Sequence, residues 1–274
     1  MKHRIDFDVA VVGGGHAGAE AALAAARLGV TAALITHRFD RIGEMSCNPA
    51  MGGIGKGHLI REVDALDGAI GCVADRAAIH YRLLNRSKGP AVQGPRAQCD
   101  RVLYRRAMQE EIKSASVVVI EAGVDDLEKD GDRVVGLRLD DGSLVRARSV
   151  ILTTGTFLGG VIHVGDRSEA GGRIGDPSAT RLARHLRDLG LPIGRLKTGT
   201  PPRLDGRTID WDRLETQPSD EAPVFLSTMT VRASVAQRDC AIARTNCRTH
   251  DLIRADIRRS AMWSGAITGV GPRY

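Results

Sequence analysis

The chain opens with an apolar run that enters a glycine turn and leaves it as an alanine-rich segment. The run Asp8–Val12 is typical of a buried strand, and the residues after Gly18 are strong helix formers. Strand, glycine turn and helix in this order predict the start of a dinucleotide-binding βαβ unit. In such a turn Gly13 permits the sharp bend, Gly15 lets the backbone approach a pyrophosphate, and Gly18 lets the helix pack closely.

The second apolar run, at residues 32–35, ends without the acidic residue that usually binds a ribose in this kind of unit. Thr36 and His37 stand at that position, and the first acid beyond them is Asp40. We therefore expect the ribose to be held in another way. The turn itself does not choose between FAD and NAD(P).

Further patterns predict the elements that follow. The predicted elements are helices at 59–66 and 97–113, a strand at 117–120, a hairpin at 133–139 and 144–148, and an apolar strand at 150–156. A phosphate-loop unit, a mid-chain helix, a β-meander and a strand ending in Thr-Gly resemble the FAD domain of two-dinucleotide flavoproteins. We predict an α/β fold of this Rossmann-like type, with Thr153-Thr154-Gly155 returning beside the phosphate loop.

Residues 41–58 are rich in Gly, Ser, Asn and Pro, and we predict a long loop that wraps a flat or phosphorylated ligand. A Walker A interpretation fails, because Ala50 and Gly57 stand where Gly and Ser or Thr are required. Cys47 lies in this loop with Lys56 and His58 nearby in sequence. A lowered pKa would make Cys47 a nucleophile, and an inert loop cysteine is the alternative.

The loop at 85–96 is basic, and Arg86, Lys88 and Arg96 have no acid beside them in sequence. These side chains suit phosphate contacts or form an ordinary solvated loop. A second glycine loop at 171–177 precedes a predicted helix at 178–189, with Asp176 as its N-cap and Pro177 at its first position. The composition shifts near residue 200, where we predict a domain boundary.

Composition narrows the class of protein. The 274 residues include 42% hydrophobic residues, which fits a chain with a substantial core. No apolar run is long enough to span a membrane and the charged N-terminus does not resemble a signal peptide, so we expect a cytoplasmic protein. A net charge of +6 permits an anionic partner, while 3% aromatic residues argue against a stacking platform for single strands. The five widely spaced cysteines predict neither a metal site nor a disulfide framework.

Several long motifs together resemble the MnmG family, also called GidA, whose flavoproteins modify the wobble uridine of certain tRNAs. The motifs are residues 13–18, 43–57, 87–92, 172–177, 195–203 and 269–274. The resemblance implies an FAD-dependent enzyme that works with the GTPase MnmE and forms homodimers. It also implies the reaction: an aminomethyl or carboxymethylaminomethyl group is added to carbon 5 of tRNA uridine 34. Methylenetetrahydrofolate would supply the one-carbon unit, glycine or ammonium the amine, and NADH the electrons.

The same resemblance assigns roles to individual residues. Cys47 matches a family cysteine implicated in the chemistry, as a nucleophile or an acid/base thiol near the uracil. The implied FAD contacts are Gly13, Gly14, Gly15, His16, Ala17, Gly18, Val124 and Ala179. Ala179 stands where the family can carry serine, so only a backbone contact is expected there. The implied remnant of an NAD segment is Gly271, Pro272, Arg273 and Tyr274.

The family is more than twice as long as this chain, so we expect an N-terminal fragment. Residues 1–200 would form the FAD-binding domain without its later strands, and residues 201–274 a truncated, inserted NAD or substrate domain of smaller α/β type. Cys247 departs from the family, which usually has an acid there.

Three other functions stay open. One is a folate-dependent tRNA (uracil-5-)methyltransferase of the related TrmFO type, although the 46–57 loop is not expected in it. Another is a non-catalytic flavin- or RNA-binding module, which the basic charge would suit. The third is a flavin oxidoreductase that acts on a small molecule.

Overall fold

The structure is a computed structural model that describes residues 6–46, 48–155, 157–173, 175, 178–199, 201–267, 269 and 271. The strands are β1 (Phe7–Val12), β2 (Ala32–Thr36), β3 (Ala50–Gly52), β4 (Ala78–Leu84), β5 (Gly94–Cys99), β6 (Val117–Glu121), β7 (Val124–Asp130), β8 (Arg133–Leu139), β9 (Leu144–Leu152), β10 (Val161–Val164), β11 (Arg167–Ala170), β12 (Glu215–Gln217) and β13 (Cys240–Ile242). The α-helices are α1 (His16–Arg27), α2 (Lys56–Ala65), α3 (Ala69–Ala77), α4 (Arg101–Ser114), α5 (Thr180–Asp188) and α6 (Cys247–Asp256). Short 3₁₀ turns lie at Phe39–Arg41, Pro90–Val92, Gly206–Thr208, Trp211–Arg213 and Ile257–Arg259.

The main sheet has six strands in the order β6-β2-β1-β9-β8-β7. Strands β6, β2, β1 and β9 run parallel, and β9, β8 and β7 form an antiparallel meander. Val11 of the central strand pairs with Leu34 on one side and Ile151 on the other. The predicted α/β fold with a phosphate-loop unit and a β-meander is therefore confirmed.

Alternating residues of the central strands supply two cores, one on each face of the sheet. Val11 and Leu34 face a layer built from α1, α3 and α4, in which Tyr104 and Met108 are fully buried. The neighbouring positions face the meander and α5, where Leu182 is buried. Among the described helices, none combines the length and apolar character that a membrane crossing needs.

The predicted helix at 97–113 was wrong at its start. Residues 97–99 are the end of β5, and α4 begins at Arg101 after an N-cap at Asp100. The Asp100 carboxylate accepts hydrogen bonds from the amides of Val102 and Leu103, which stabilises this helix start. Ala97 pairs with both β3 and β4, so backbone partners distant in sequence override the helical pattern.

The predicted loop at 41–58 is partly regular, which corrects the sequence interpretation. It contains β3, the edge of a three-stranded sheet ordered β3-β5-β4, and α2 already begins at Lys56 rather than at 59. Gly52 has a φ of 83°, and a Cβ there would lie 2.1 Å from the carbonyl oxygen of Pro95. Glycine at this position lets β3 leave the sheet close to the β5 backbone.

Two smaller boundaries also differ from the prediction. The segments predicted as 144–148 and 150–156 form one strand, β9, because its first half pairs with β8 and its second half with β1. Helix α5 begins at Thr180 with Ala179 at the N-cap, and no side chain caps it. Asp176 and Pro177, the predicted capping residues, lie outside the described residues.

The chain after residue 201 returns to the helical layer through two buried carboxylates. Asp75 accepts hydrogen bonds from the amides of Leu226 and Ser227 at 3.1 and 2.9 Å. Asp64 accepts from the amide and hydroxyl of Thr228 at 2.8 and 3.0 Å. These four bonds fix residues 226–228 across α2 and α3, where Leu226 is fully buried.

Candidate dinucleotide-binding site

The glycine turn between β1 and α1 has the geometry of a phosphate loop. Gly13 adopts a φ of 111°, and Gly15 is the N-cap of α1 without any side-chain cap. The first amides of α1 therefore have no side-chain acceptor from the cap, and the positive end of the helix dipole lies beside them. Backbone donors at a helix start are suited to bind a pyrophosphate.

The space around each glycine separates packing from ligand binding. A Cβ on Gly18 would lie 1.8 Å from the Gly13 carbonyl oxygen, so only glycine lets α1 approach the turn. A Cβ on Gly13 would lie 2.6 Å from the Thr153 carbonyl oxygen. A Cβ on Gly15, by contrast, would have no atom of the described residues within 4 Å. The packing of the described residues therefore does not require glycine at position 15, and its exposed backbone leaves room for a phosphate group.

The end of β9 closes the turn, as the sequence predicts for the Thr153-Thr154-Gly155 segment. The Thr153 amide donates to the Val12 carbonyl at 2.9 Å. Its hydroxyl lies 2.8 Å from the Val12 carbonyl oxygen and 3.1 Å from that of Gly13. Thr153 thus fixes the turn from the end of β9, close to α1, since a Cβ on Gly18 would lie 2.7 Å from its hydroxyl.

His16, the first residue of α1, contributes no positive charge to the loop. Burial, and then the charge of Lys56, lower the pKa of His16 to about 4, so the imidazole is neutral at pH 7. Its Nδ1 lies 3.2 Å from the Tyr104 hydroxyl, and the two rings meet edge to face with centroids 5.3 Å apart. His16 therefore connects the start of α1 to α4 and acts as a positioning residue.

The predicted adenosine end lies where β2 and β6 finish. The Ala122 amide donates to the Thr36 carbonyl, and a Cβ on Gly123 would lie 3.1 Å from the His37 ring. Val124, the buried first residue of β7, is next in the chain, so the structure brings the predicted contact to the carboxyl end of β2. No carboxylate follows β2 directly, as the sequence indicates.

Ala179 is the N-cap of α5, the helix that packs in the same core as Val124. Its carbonyl accepts from the Gly159 amide at 3.3 Å, and it forms a bridge with Leu158. The first turn of α5 is joined to β7 by Arg181, whose guanidinium lies 2.6 Å from the Asp125 carboxylate. These contacts connect the Ala179 backbone to the strand that begins with Val124.

The predicted thiol, Cys47, lies outside the described residues, but the residue before it is described. The Ser46 hydroxyl lies 2.5 Å from the Arg173 guanidinium, and the Ser46 carbonyl lies 3.3 Å from that of Arg203. Two cationic side chains from distant parts of the sequence therefore converge on this segment. Their positions in the sequence alone could not predict that both arginines contact Ser46.

Two further arginines near this loop, Arg101 and Arg105, are paired with a carboxylate of the protein. Glu44 accepts hydrogen bonds from Arg101 at 2.9 Å and Arg105 at 2.7 Å. Burial alone would raise the pKa of Glu44, but the hydrogen bond and charge of Arg105, with the charges of Arg101 and Arg173, lower it overall. Sequence reasoning missed this cluster, although its arginines lie on one face of a predicted helix.

The predicted NAD segment is described only at its first residue. A Cβ on Gly271 would lie 3.4 Å from Cε of Lys197, so residue 271 packs beside the chain near residue 197. Pro272, Arg273 and Tyr274 lie outside the described residues.

Comparison with known proteins gives consistent relatives. A family model described as "Glucose inhibited division protein A" matches residues 8–274. The tRNA uridine 5-carboxymethylaminomethyl modification enzyme MnmG of Zymomonas mobilis is 52% identical over 269 residues, which cover 98% of this chain and 43% of that protein.

Solved structures of GidA from Aquifex aeolicus match at 44% identity. The form I crystal structure has a TM-score of 0.89 and covers 98% of this chain and 46% of that one. The form II structure has a TM-score of 0.86, with coverages of 91% and 42%. The chain therefore spans less than half the length of these relatives.

Proposed function

This chain belongs to the glucose inhibited division protein A (GidA, or MnmG) family, and we propose that it forms the FAD-binding part of a tRNA-modifying enzyme. The observation that carries the proposal is the phosphate loop, in which a Cβ would meet described atoms at Gly13 and Gly18 but not at Gly15. Membership of this family supports FAD as the cofactor, and so does a loop with room for its pyrophosphate.

The residues present fit FAD. The amides at the start of α1 and the loop Gly13–Gly18 would hold the pyrophosphate, Val124 would contact the adenosine end, and the Ala179 backbone would contribute a further contact. Thr153 keeps the loop in shape. When bound, the flavin supplies hydride exchange. NADH would be the electron source, with Gly271 at the beginning of its binding segment.

The Ser46–Cys47 segment would face the uracil of the tRNA. Guanidinium groups near a cysteine favour the thiolate form, and Arg173 and Arg203 contact the residue immediately before Cys47. Cys47 would act as the nucleophile or acid/base thiol, and the arginines would also favour an anionic substrate. The expected product carries an aminomethyl or carboxymethylaminomethyl group on carbon 5 of wobble uridine 34.

The proposed partners follow from family membership. The enzyme would act with the GTPase MnmE, use methylenetetrahydrofolate as one-carbon donor, form a homodimer and work in the cytoplasm. Residues 201–274 would belong to an inserted NAD or substrate domain, next to an FAD-binding domain at residues 1–200.

Flavin binding tests the cofactor directly. The purified chain should show a flavin absorbance spectrum, and the released cofactor should co-elute with FAD in chromatography. Gly15→Val should abolish this binding, because its side chain would fill the space of the pyrophosphate, while Gly15→Ala should weaken it less. In the flavin-free state Gly15→Ala should unfold close to the urea midpoint of the flavin-free parent, because a Cβ there meets no described atom within 4 Å. Stoichiometric FAD in the folded Gly15→Val protein would contradict the placement.

The modified nucleoside tests the reaction. A Cys47→Ser allele at the native locus should remove the modification of uridine 34 from cellular tRNA, measured by mass spectrometry of digested nucleosides. Cys247→Ser, which removes an exposed thiol, should leave the modification at the parental level. Loss of 5-methyluridine instead would identify a methyltransferase. Normal modification with Cys47→Ser would exclude a catalytic role for this thiol.

A further inference from the structure

The three-stranded sheet carries a polar pocket on the face turned away from the core. Tyr81 and Ala97 are buried in the core, so the residues before and after them along β4 and β5 point to the opposite face. Strands β12 and β13 pass beside this face. The pocket is lined by His80, Arg82, Arg96, Gln98, Gln217 and Cys240. Its cavity of about 30 Å³ fits one small polar group rather than a whole nucleotide.

The cross-strand pairing concentrates positive charge in this pocket. Arg82 of β4 lies directly opposite Arg96 of β5, and His80 pairs with Gln98. Like charges in opposite positions on one sheet face are destabilising unless a counter-charge lies between or beside them. Lys56 is a further positive charge close to Arg96. Burial lowers the pKa of Lys56, and the charge of Arg96 lowers it further.

Among the described residues, one carboxylate forms an ion pair with an arginine of this pair. Asp220 is the carboxylate at its edge, 3.2 Å from the Arg82 guanidinium and 2.7 Å from that of Arg86. It also accepts the Leu83 amide at 2.8 Å. Arg96 forms no ion pair or side-chain hydrogen bond within the part of the chain that the structure describes. One carboxylate therefore serves two arginines, and the third is left for a ligand.

A buried imidazole completes the pocket. His80 is 3% exposed, and its Nδ1 donates to the Arg238 carbonyl at 2.9 Å. Its other nitrogen, Nε2, is buried and has no hydrogen-bond partner among the described residues. A buried polar atom of this kind costs free energy unless it meets a partner. In the tautomer that carries its proton on Nδ1, Nε2 has a lone pair that accepts a hydrogen bond.

From these contacts we propose that the pocket binds an oxyanion, with Arg82 and Arg96 on its charged oxygens and His80 Nε2 accepting from a protonated oxygen. Hydrogen phosphate, or a phosphomonoester, has both kinds of oxygen. A carboxylate has only the charged kind, so acetate binds more weakly. The amides of Gln98 and Gln217, which have no side-chain partner among the described residues, supply further donors. The pocket binds its anion whether or not the flavin function proposed above holds.

Cys240 offers a direct readout, because it lines the pocket and is a free, half-buried thiol. Burial raises the pKa of Cys240, the charge of Arg96 opposes that rise, and the charge of Asp239 adds to it. An anion bound between them would cover the thiol and disfavour its thiolate, which is the species that alkylates. Occupation of the pocket should therefore slow alkylation of Cys240.

The experiment follows iodoacetamide alkylation of the chain in low-salt buffer by peptide mass spectrometry. Inorganic phosphate and acetate are titrated separately. Phosphate should slow alkylation of Cys240 about tenfold at saturation, the effect of a one-unit rise in its pKa. Cys247, which is exposed, should keep its rate. Buried Cys99 should stay unmodified in every folded sample, so it reports any variant that has lost its structure.

Two variants connect the protection to the pocket. Arg96→Gln should abolish the effect of phosphate on Cys240, while Arg86→Gln, which changes an arginine on the same carboxylate but outside the pocket, should retain it. Equal Cys240 rates with and without both anions would overturn the proposal. So would protection that survives in folded Arg96→Gln. Stronger protection by acetate than by phosphate would overturn the hydrogen bond to His80 Nε2.

Discussion

The phosphate loop and the polar pocket on β4 and β5 both present donors to an anion, but they do so by opposite means. The loop uses backbone amides, needs glycines at Gly13 and Gly18 for close packing, and keeps His16 neutral. The pocket uses the side chains of Arg82 and Arg96, without a full set of acids to balance them. The loop therefore depends on close packing around its glycines, whereas the pocket depends on positive charge that is not fully paired.

The largest loss of stability is expected from adding a side chain at Gly18, where the phosphate loop has no room for one. Gly18→Ala should lower the free energy of unfolding by more than about 3 kcal/mol, because its Cβ would overlap the Gly13 carbonyl oxygen at 1.8 Å. Gly15→Ala is the matched control and should change the free energy of unfolding by less than about 1 kcal/mol, since no described atom lies within 4 Å of its Cβ. Urea denaturation compares the two. Equal losses would show that the loop glycines do not differ in their packing.

This contrast also explains how much the sequence could predict. The loop was predictable because its strand, glycines and helix are contiguous, and the return of Thr153 follows from the order of strands in such folds. The start of α4 was not, because Ala97 is held in a strand by β3 and β4, and its apolar pattern fits either structure. Asp100 was the signal that could have marked the boundary.

The charge balance of the two regions was beyond sequence reasoning. Arg86 has no acid near it along the chain, yet its partner Asp220 arrives from 134 residues further on, whereas Arg96 remains unpaired among the described residues. Composition gives the total charge, but only the fold decides which arginine is neutralised. The sequence could therefore predict a basic region and not which of its side chains is available.

The next effect tests the neutral state of the loop histidine. The folded pKa of His16 is about 4, below its usual value of 6.5, so the unfolded chain binds a proton more readily. Stability contributed by neutral His16 is therefore complete above pH 6.5 and falls as the pH decreases toward 4, by up to about 3 kcal/mol. His16→Asn should remove this part of the pH dependence, measured by urea denaturation between pH 7 and 4.

Exposed His250 provides the control for that titration. His250→Asn is measured in parallel and reports what a histidine-to-asparagine change at an exposed position does to urea denaturation. If His16→Asn kept the parental slope between pH 6.5 and 4, His16 would not be the neutral group of the loop, and the proposed contrast with the charged pocket would fail.

The smallest of these effects tests the neutralisation of cations near the loop. Glu44→Gln should lower the free energy of unfolding by about 2 kcal/mol at pH 7, because Arg101 and Arg105 would lose a mostly buried partner. Glu128→Gln breaks an exposed pair with Arg138 at the same 2.7 Å separation as the Arg105 pair, and it should cost less than about 1 kcal/mol. Urea denaturation at pH 7 compares the two.

The pH dependence of the Glu44→Gln effect shows whether Glu44 stabilises the protein through its charge. The folded pKa of Glu44 is lowered below 4.5, so its contribution is complete above that pH and is lost as the pH falls through the folded value. The parent and Glu44→Gln should therefore differ most at neutral pH and converge in acid. A constant difference at every pH would mean that Glu44 acts through packing rather than charge, and the cations beside the loop would then be as unbalanced as those of the pocket.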